Sequence, residues 1–303
     1  MCNKAQPTNT NDYMKTIKQG KVLKDNDAAK LKGKFLDESH FHTLINEDCD
    51  AYDNYGNLLF RFRKNKFPIK ELELGYQSFK SSIQFTEGRG ITSGSSHKRI
   101  RKDGSVSNIT VGDKVWSGNV GYMDSGAMVK YCRLTAFGRD HFDEFQAGIP
   151  FVKKVDDFYK ELCPSYYSKQ RALADSTNRN FVIKDTSFTT VTVNKSFRTA
   201  VHQDAGDFRD GFGNLIVYND GSYDGGYFVM PQYGIAIDVQ STDVLFADVH
   251  QWHGNTEMKL RDGFDEIFRI SYVLYYRENM FKCKQPAEQL KEIKQNKLGY
   301  LTL

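Results

Sequence analysis

From residue 181 onward the chain repeats one pattern. Short β-type runs, "FVIKDTSFTTVTVN", "FRTAVHQ", "GNLIVY", "GYFVMP", "YGIAIDVQ", "DVLFADVH" and "IFRISYVLYYR", follow one another with no helix-length segment between them. The breaks are "DGFG", "NDGSYDGG", "PQYG" and "STD", where Gly, Asn, Asp and Pro supply turn chemistry. Short strands joined by turns form a sandwich or barrel rather than a parallel sheet, since parallel strands need long crossovers. The expected fold is therefore α+β, mainly β. A double-stranded β-helix (jelly roll) core should occupy 181–280, with N-terminal helices and strands packed around it. Twenty-two Phe and 17 Tyr suit such packing, and a few of the rings could serve as stacking platforms for a base.

Upstream the texture is mixed. Residues 1–34 are polar, with lysine spread through "KTIKQGKVLKDNDAAKLKGK", and read as a tail or a weak helix. Residues 35–303 read as one domain, of which 35–180 is a helical and strand support region and 281–303 a closing helix opened by Pro286. Within the support region "AYDNYGNLLFRFRKNKFPI" carries a turn and the alternating strand "LLFRFR". Residues 70–82 suit a helix, as does "PFVKKVDDFYKELCP", opened by Pro150 and stopped near Pro164.

The stretch 88–105, "GRGITSGSSHKRIRKDGS", carries Arg89, Lys98, Arg99, Arg101 and Lys102 against Asp103, so +5 − 1 = +4, equal to the net charge of the whole chain. Such a loop is either a solvated flexible segment or a set of phosphate contacts. No run of 18 apolar residues and no apolar leader segment occur, which predicts neither a membrane partner nor export. Cysteines at 2, 49, 132, 163 and 283 are odd in number and form no CxxC pair, so reduced thiols and an intracellular setting, cytoplasm or nucleoid, are expected.

The chemistry concentrates in "TAVHQDAGDF". On a strand, His202 and Asp204 point to the same face and can chelate one ion. A non-haem iron(II) oxygenase needs two histidines and a carboxylate, with the remaining positions open for oxygen and co-substrate. "DVHQWHGNT" offers the third ligand. His250 and His253 face opposite ways on an extended chain, so only one can ligate. His253, next to the turn-forming "GNT", is the better placed, leaving His250 as a supporting or core histidine. In "EIFRISYVLYYR", Phe268, Ile270, Tyr272 and Leu274 share one face, and Arg269 and Ser271 the other. A mid-strand arginine is costly to bury unless an anion meets it, and the distal carboxylate of 2-oxoglutarate would do so.

With these residues in place the chain resembles a family. "TSFTTVTVNKSFRTAVHQDAGDFRDGFGNLIVY", "GGYFVMPQYGIAIDVQSTDVLFADVHQWHGNTE" and "FRISYVLYYR" look like the oxygenase domain of the TET/J-binding-protein group, nearer its thymine-hydroxylase branch. "YGNLLFRFRKNKFP", "GYMD" and "YCRLTAF" extend the likeness weakly upstream, so that it covers about 50–280.

The resemblance implies an Fe(II)-, 2-oxoglutarate- and O2-dependent dioxygenase acting on the 5-methyl group of a pyrimidine in DNA, thymine first and 5-methylcytosine second. It implies His202, Asp204 and His253 as iron ligands and Arg269 as the 2-oxoglutarate clamp, with Ser271 beside it and Arg198 near the site. Such chemistry requires a flipped base. The basic stretch is then the candidate for the DNA backbone. Asp207 either meets the base or co-substrate or holds a turn, and Asn255 and His250 would orient the ligands. A chain of this length leaves no room for the separate J-base-binding domain of kinetoplastid members, so a compact stand-alone enzyme, monomeric and of the phage or bacterial kind, is expected. The alternatives are a 2-oxoglutarate-dependent hydroxylase of a small molecule, protein or RNA, and a non-catalytic cupin-like binding module.

Overall fold

The alternation after 181 becomes strands Thr190–Lys195, Gly213–Asn219, Phe228–Met230, Ile235–Ile237, Val244–Ala247 and Arg269–Tyr275. The computed structural model describes residues 14–94, 97–126 and 129–300. The strands lie in two sheets of unequal size. The larger has ten strands. Its central order is Leu58–Arg63, Val244–Ala247, Gly213–Asn219, Arg269–Tyr275, Thr190–Lys195 and Val115–Met123, all antiparallel. The smaller has four, in the order Gly254–Asn255, Phe228–Met230, Ile235–Ile237 and Thr43–Ile45.

Strand parity decides what each face of the large sheet meets. Ile216, Ile270, Tyr272 and Leu274 turn outward onto the helices Ile69–Phe79 and Ile149–Leu162, where Phe151 meets Tyr272 with ring centroids 4.9 Å apart. An aromatic pair of this kind adds about 0.5–1.5 kcal/mol beyond the area it buries. These two helices approach closely because residue 75 is glycine: a Cβ there would stand 2.7 Å from the Phe151 ring. Leu215, Val217 and Leu245 turn inward against Phe228, Met230 and Ile235 of the small sheet. The two sheets thus enclose an apolar layer at one end. At the other end Arg269, Ser271, Val273 and Tyr275, also inward, border a cavity.

Several expectations need correction. Of the tail or weak helix expected over 1–34, residues 1–13 lie outside the described residues; beyond them Lys15–Lys18 pairs in parallel with Cys49–Tyr52, and only Asp25–Ala29 forms a short helix. Their anchoring is by main chain, as in the Gly33 N–H donated to the Val201 carbonyl, and a polar composition does not record that. The helix over 150–164 is present, but Pro164 opens a second one, Pro164–Ser176, because proline suits a first helical turn as well as a stop. "FRTAVHQ" is not a strand; only His202 makes an isolated bridge. The stretch 88–105 holds a helical turn, Gly90–Ser93, and most of a hairpin, His97–Ile100 with Val106–Val111, rather than an open loop. The cysteines are not all reduced: Cys132 and Cys283 form a disulfide with Cα atoms 5.8 Å apart, tying the segment before Arg133–Leu134 to the base of the closing helix Pro286–Tyr300. Among the described residues no helix is long and apolar enough to cross a membrane.

Candidate active site

The cavity between the sheets is about 440 Å³. His202, Asp204 and His253 meet on its wall, each offering a ligand atom, all within 4.8 Å of one another. The main chain brings them together. His202 and His253 form an antiparallel bridge, and the Asp204 N–H donates to the Val249 carbonyl at 3.0 Å. His202 Nε2 lies 3.3 Å from Asp204 Oδ1, and His253 Nε2 3.7 Å from Asp204 Oδ2. Since the segment around His202 is not a strand, this convergence comes from the bridge and not from strand alternation.

The other ring nitrogens are spoken for. His202 Nδ1 lies 2.7 Å from the Ala200 carbonyl and His253 Nδ1 2.9 Å from the Gln251 carbonyl. A carbonyl only accepts, so each Nδ1 carries a proton, and Nε2 is the nitrogen that faces Asp204 and is free to ligate once unprotonated. Phe228 stacks on the His253 ring at 5.2 Å and fixes its plane. Burial alone would push the Asp204 carboxyl up, but the hydrogen bond and charge of His202, then His253 and His250, hold it at about 2. Burial, then the neighbouring His202 charge, lowers His253 to about 4. For His202 burial acts downward too, yet its hydrogen bond to Asp204 prevails and the net direction is upward. Two nitrogens and an ionised carboxylate on one side of an open cavity suit Fe(II).

Arg269 is the second decisive residue. It is 3% exposed, lines the same cavity, and its Nε has no hydrogen-bond partner. A buried guanidinium nitrogen without a partner is costly, and a carboxylate of a co-substrate would meet it. Ser271 stands two residues on along the same wall and accepts from Asn194 Nδ2 at 3.5 Å.

The supporting residues also have places. Asn255 accepts from the Thr199 hydroxyl and donates to the Gly226 and Tyr227 carbonyls at 3.2 Å, bracing the strand that follows His253. His250 stays out of the cavity. Its Nδ1 lies 3.3 Å from Asp248 Oδ1, a contact that leads the upward shift of its pKa, and its Nε2 lies 3.4 Å from the Asp207 carbonyl. Asp207 does reach the cavity; burial, then the Asp204 charge, raises its carboxyl well above the usual range.

Two expected site residues fall elsewhere. Arg198 faces a neighbouring recess, donating to the Leu36 carbonyl at 2.6 Å and lying 4.7 Å over the Phe35 ring. Its position in "SFRTAVH" follows a left-handed Ser196, at φ 45°, which breaks the parity a strand would have kept. Arg89 is the reverse case. The sequence groups it with Lys98, Arg99, Arg101 and Lys102 as a candidate contact to the DNA backbone; Lys98, Arg101 and Lys102 are exposed, but Arg89 turns into the cavity. Arg99 also belongs to the hairpin strand His97–Ile100.

Sequence reasoning missed Thr192, Asn194, Tyr275 and Arg277, which also line the cavity. For the first two a signal existed: in "TVTVN" the valines alternate with polar residues, and Val191 and Val193 are core.

Residues 116–278 match the Tet_JBP family model, described as the oxygenase domain of the 2OGFeDO superfamily. That span contains all of the triad and Arg269, and it is more than half of the chain. The chain belongs to the Tet_JBP family. It is 30% identical over 302 residues to thymine dioxygenase JBP1 of Trypanosoma brucei brucei, an alignment covering 96% of this chain and 34% of the relative. It is 38% identical over 164 residues to the bifunctional helicase and thymine dioxygenase JBP2 of the same species, strain 927/4 GUTat10.1, over 53% of this chain and 15% of that one. The chain thus spans about a third of the length, or less, of these Tet_JBP relatives. Among solved structures, NgTET1 in complex with 5mC DNA superposes with a TM-score of 0.58 at 15% identity, covering 84% of this chain and 87% of that one, which shows a shared fold.

Proposed function

We propose that this chain is an Fe(II)- and 2-oxoglutarate-dependent dioxygenase that hydroxylates the 5-methyl group of a pyrimidine in DNA, thymine first and 5-methylcytosine second. Its two sheets would then be the halves of a double-stranded β-helix. The observation that carries the reading is that His202, Asp204, His253 and Arg269, whose Nε has no partner, share one cavity in a member of the Tet_JBP family. The names of the curated relatives support thymine as the base.

His202, Asp204 and His253 would hold the metal, and Arg269 with Ser271 the far carboxylate of 2-oxoglutarate. When bound, the metal and 2-oxoglutarate supply oxygen activation and the oxidising equivalents, with succinate and carbon dioxide as by-products. The chain's own part is binding, orientation and exclusion of water. The carbonyls of Ala200 and Gln251 keep both Nε2 atoms aimed inward. Val273, Leu215 and Leu245 make the inner wall apolar, so water has few partners there.

A base methyl inside a duplex cannot reach an inter-sheet cavity, so the base must be extruded, at a cost of about a few kcal/mol. The exposed Lys98, Arg101 and Lys102 of the hairpin, with Arg99 on the same strand, would hold the backbone, and Asp207 would face the base from the cavity wall.

The test is direct. Thymine-containing and 5-methylcytosine-containing DNA is treated with protein, Fe(II) and 2-oxoglutarate, and the nucleosides are analysed by mass spectrometry with succinate measured in parallel. A hydroxymethyl product that His202→Ala abolishes is expected. Succinate without any modified base would remove DNA as the substrate, and folded, iron-supplied protein that makes no succinate would remove the enzyme.

A further inference from the structure

Arg89 has an unusual environment for a cation. Its Nε donates to the Ser117 hydroxyl at 2.6 Å, and one terminal nitrogen to the Gly118 carbonyl and to Asn119 Oδ1, each at 3.0 Å. Every one of these partners is neutral. Burial, the largest effect on this guanidinium, pulls its pKa down, as expected for a cation that no carboxylate fully compensates. The fork is therefore fixed in direction by the strand Val115–Met123, while its charge is left largely unanswered.

The same guanidinium lines the cavity of the triad, with Asp204, Tyr275 and Arg277 on the same lining. A polar ladder on the inward face of the sheet joins it to the co-substrate end. Ser117 donates to Asn194 Oδ1, and Asn194 donates to Ser271 beside Arg269. A second rail runs from Asn119 to the Thr192 hydroxyl at 3.1 Å and on to the Tyr275 hydroxyl at 3.3 Å. The ladder thus runs from the half-buried Arg89 guanidinium to Ser271, which stands beside the buried Arg269.

The geometry points to Arg89 as the specificity-determining residue that reads the carbonyl next to the methyl group of the target base. The inference rests on the proposed hydroxylation of a pyrimidine methyl. For that chemistry the methyl must face His202, Asp204 and His253, and the ring substituent adjacent to it is the one at C4; the C2 carbonyl lies across the ring. A donor elsewhere on the wall of that cavity, as Arg89 is, is then placed to meet the C4 substituent. Arginine has only donors. Thymine presents an acceptor there, the O4 carbonyl, and 5-methylcytosine presents a donor, the N4 amino group. Arg89 pairs with the first and leaves the second unpaired beside a cation. The outcome is a preference for thymine set by one side chain, itself preorganised by Ser117, Gly118 and Asn119.

The experiment is a cycle between protein and base. Wild type, Arg89→Met and Arg89→Lys act on oligonucleotides in which the target is thymine, 5-methylcytosine or 5-methyl-2-pyrimidinone, a thymine ring lacking O4. Hydroxymethyl product and kcat/KM are read by mass spectrometry. Wild type should lose roughly tenfold or more when O4 is removed, the scale of one good base contact. Arg89→Met should lose little further on that change, its thymine-to-5-methylcytosine ratio should fall by a similar factor, and Arg89→Lys should recover part of both. Equal losses in wild type and Arg89→Met on removal of O4 would overturn the assignment. So would a wild type indifferent to O4, a result that needs no variant to fold. Wild type that oxidises neither natural base removes the DNA reading itself and this inference with it, whereas wild type that oxidises thymine regardless of O4 removes only the role of Arg89.

Discussion

His202 and His253 exchange both of their backbone hydrogen bonds, at 2.9 and 3.0 Å, and their rings stand 4.3 Å apart. Two segments distant in sequence are thereby locked to each other by main chain without a metal, so the candidate ligand set is preformed. Asp204→Ala or His253→Ala should leave the fold intact and weaken Mn(II) or Fe(II) binding by more than the 10–100-fold that loss of a merely supporting partner costs. Calorimetric titration of the apo-protein with Mn(II) checks this. Binding within tenfold of wild type in either variant would show that the metal sits elsewhere.

The protonation states of the triad set how metal loading varies with pH. Asp204, held at about 2, is ionised throughout the working range, and His253, lowered to about 4, is neutral there. His202 alone is raised above 6.5, so its proton is bound more tightly and must leave before a metal can bind. Apparent metal affinity should therefore fall as pH drops through the His202 pKa, by about tenfold per pH unit for one competing proton. A plot of log affinity against pH checks the slope. A slope near two above pH 5 would mean that both histidines compete.

Much of this site was legible because its residues obey strand parity. In Arg269–Tyr275 the outward Ile270, Tyr272 and Leu274 and the inward Arg269 and Ser271 follow the period of two that the letters display. Where the chain leaves regular structure, parity stops informing. His202 and Asp204 converge through a bridge in an irregular segment, and Arg198, in the same segment, turns away into another recess. Arg89 was hidden for a different reason. It lies in a cation-rich stretch, and composition does not distinguish the one cation that turns inward from those on a hairpin surface. The Cys132–Cys283 pair is likewise a product of distant packing that spacing does not encode.

Arg269 should matter for ligand binding and hardly at all for stability. Its buried Nε bonds to nothing in the apo-protein, so Arg269→Leu removes an unsatisfied buried donor rather than a working hydrogen bond at that atom. The variant should melt at or above the wild-type temperature. The stabilisation that 2-oxoglutarate gives wild type should be lost, and the KM for 2-oxoglutarate should rise roughly 10–100-fold, in line with about 1.5–3 kcal/mol for hydrogen bonds to a charged group. Thermal melts with and without 2-oxoglutarate decide it; an unchanged ligand-induced shift would place the co-substrate carboxylate on another residue.

The thiols should divide sharply. Burial, the leading effect, pushes Cys49 to about 11 and Cys163 to about 12, so both stay protonated and inert toward iodoacetamide at pH 8 while the protein is folded. Denatured without reductant, the chain should label at Cys2, Cys49 and Cys163, and at all five cysteines only after reduction. Cys132→Ser should lower unfolding free energy by about 2–5 kcal/mol. Peptide mapping checks the pairing, and denaturant titration the stability.

The hairpin cations and Arg89 should be separable by salt. Arg101 and Lys102 are exposed where the hairpin turns, so they can neutralise phosphates, and neither lines the cavity. If they hold the DNA backbone, the double change Arg101→Ala, Lys102→Ala weakens binding equally for all sequences. It lowers the slope of log affinity against log salt by about 1.8, since each phosphate contact contributes about 0.9. The ratio of thymine to 5-methylcytosine turnover stays where it was, because neither side chain meets the base. Arg89→Met should do the opposite, altering the ratio with the salt slope intact, because a half-buried guanidinium bonded to Ser117, Gly118 and Asn119 and lining the cavity releases no counterion from the backbone. Binding isotherms over a range of salt, run beside the competition assay, test both halves, and a double variant with an unchanged slope would move the backbone contact to another surface.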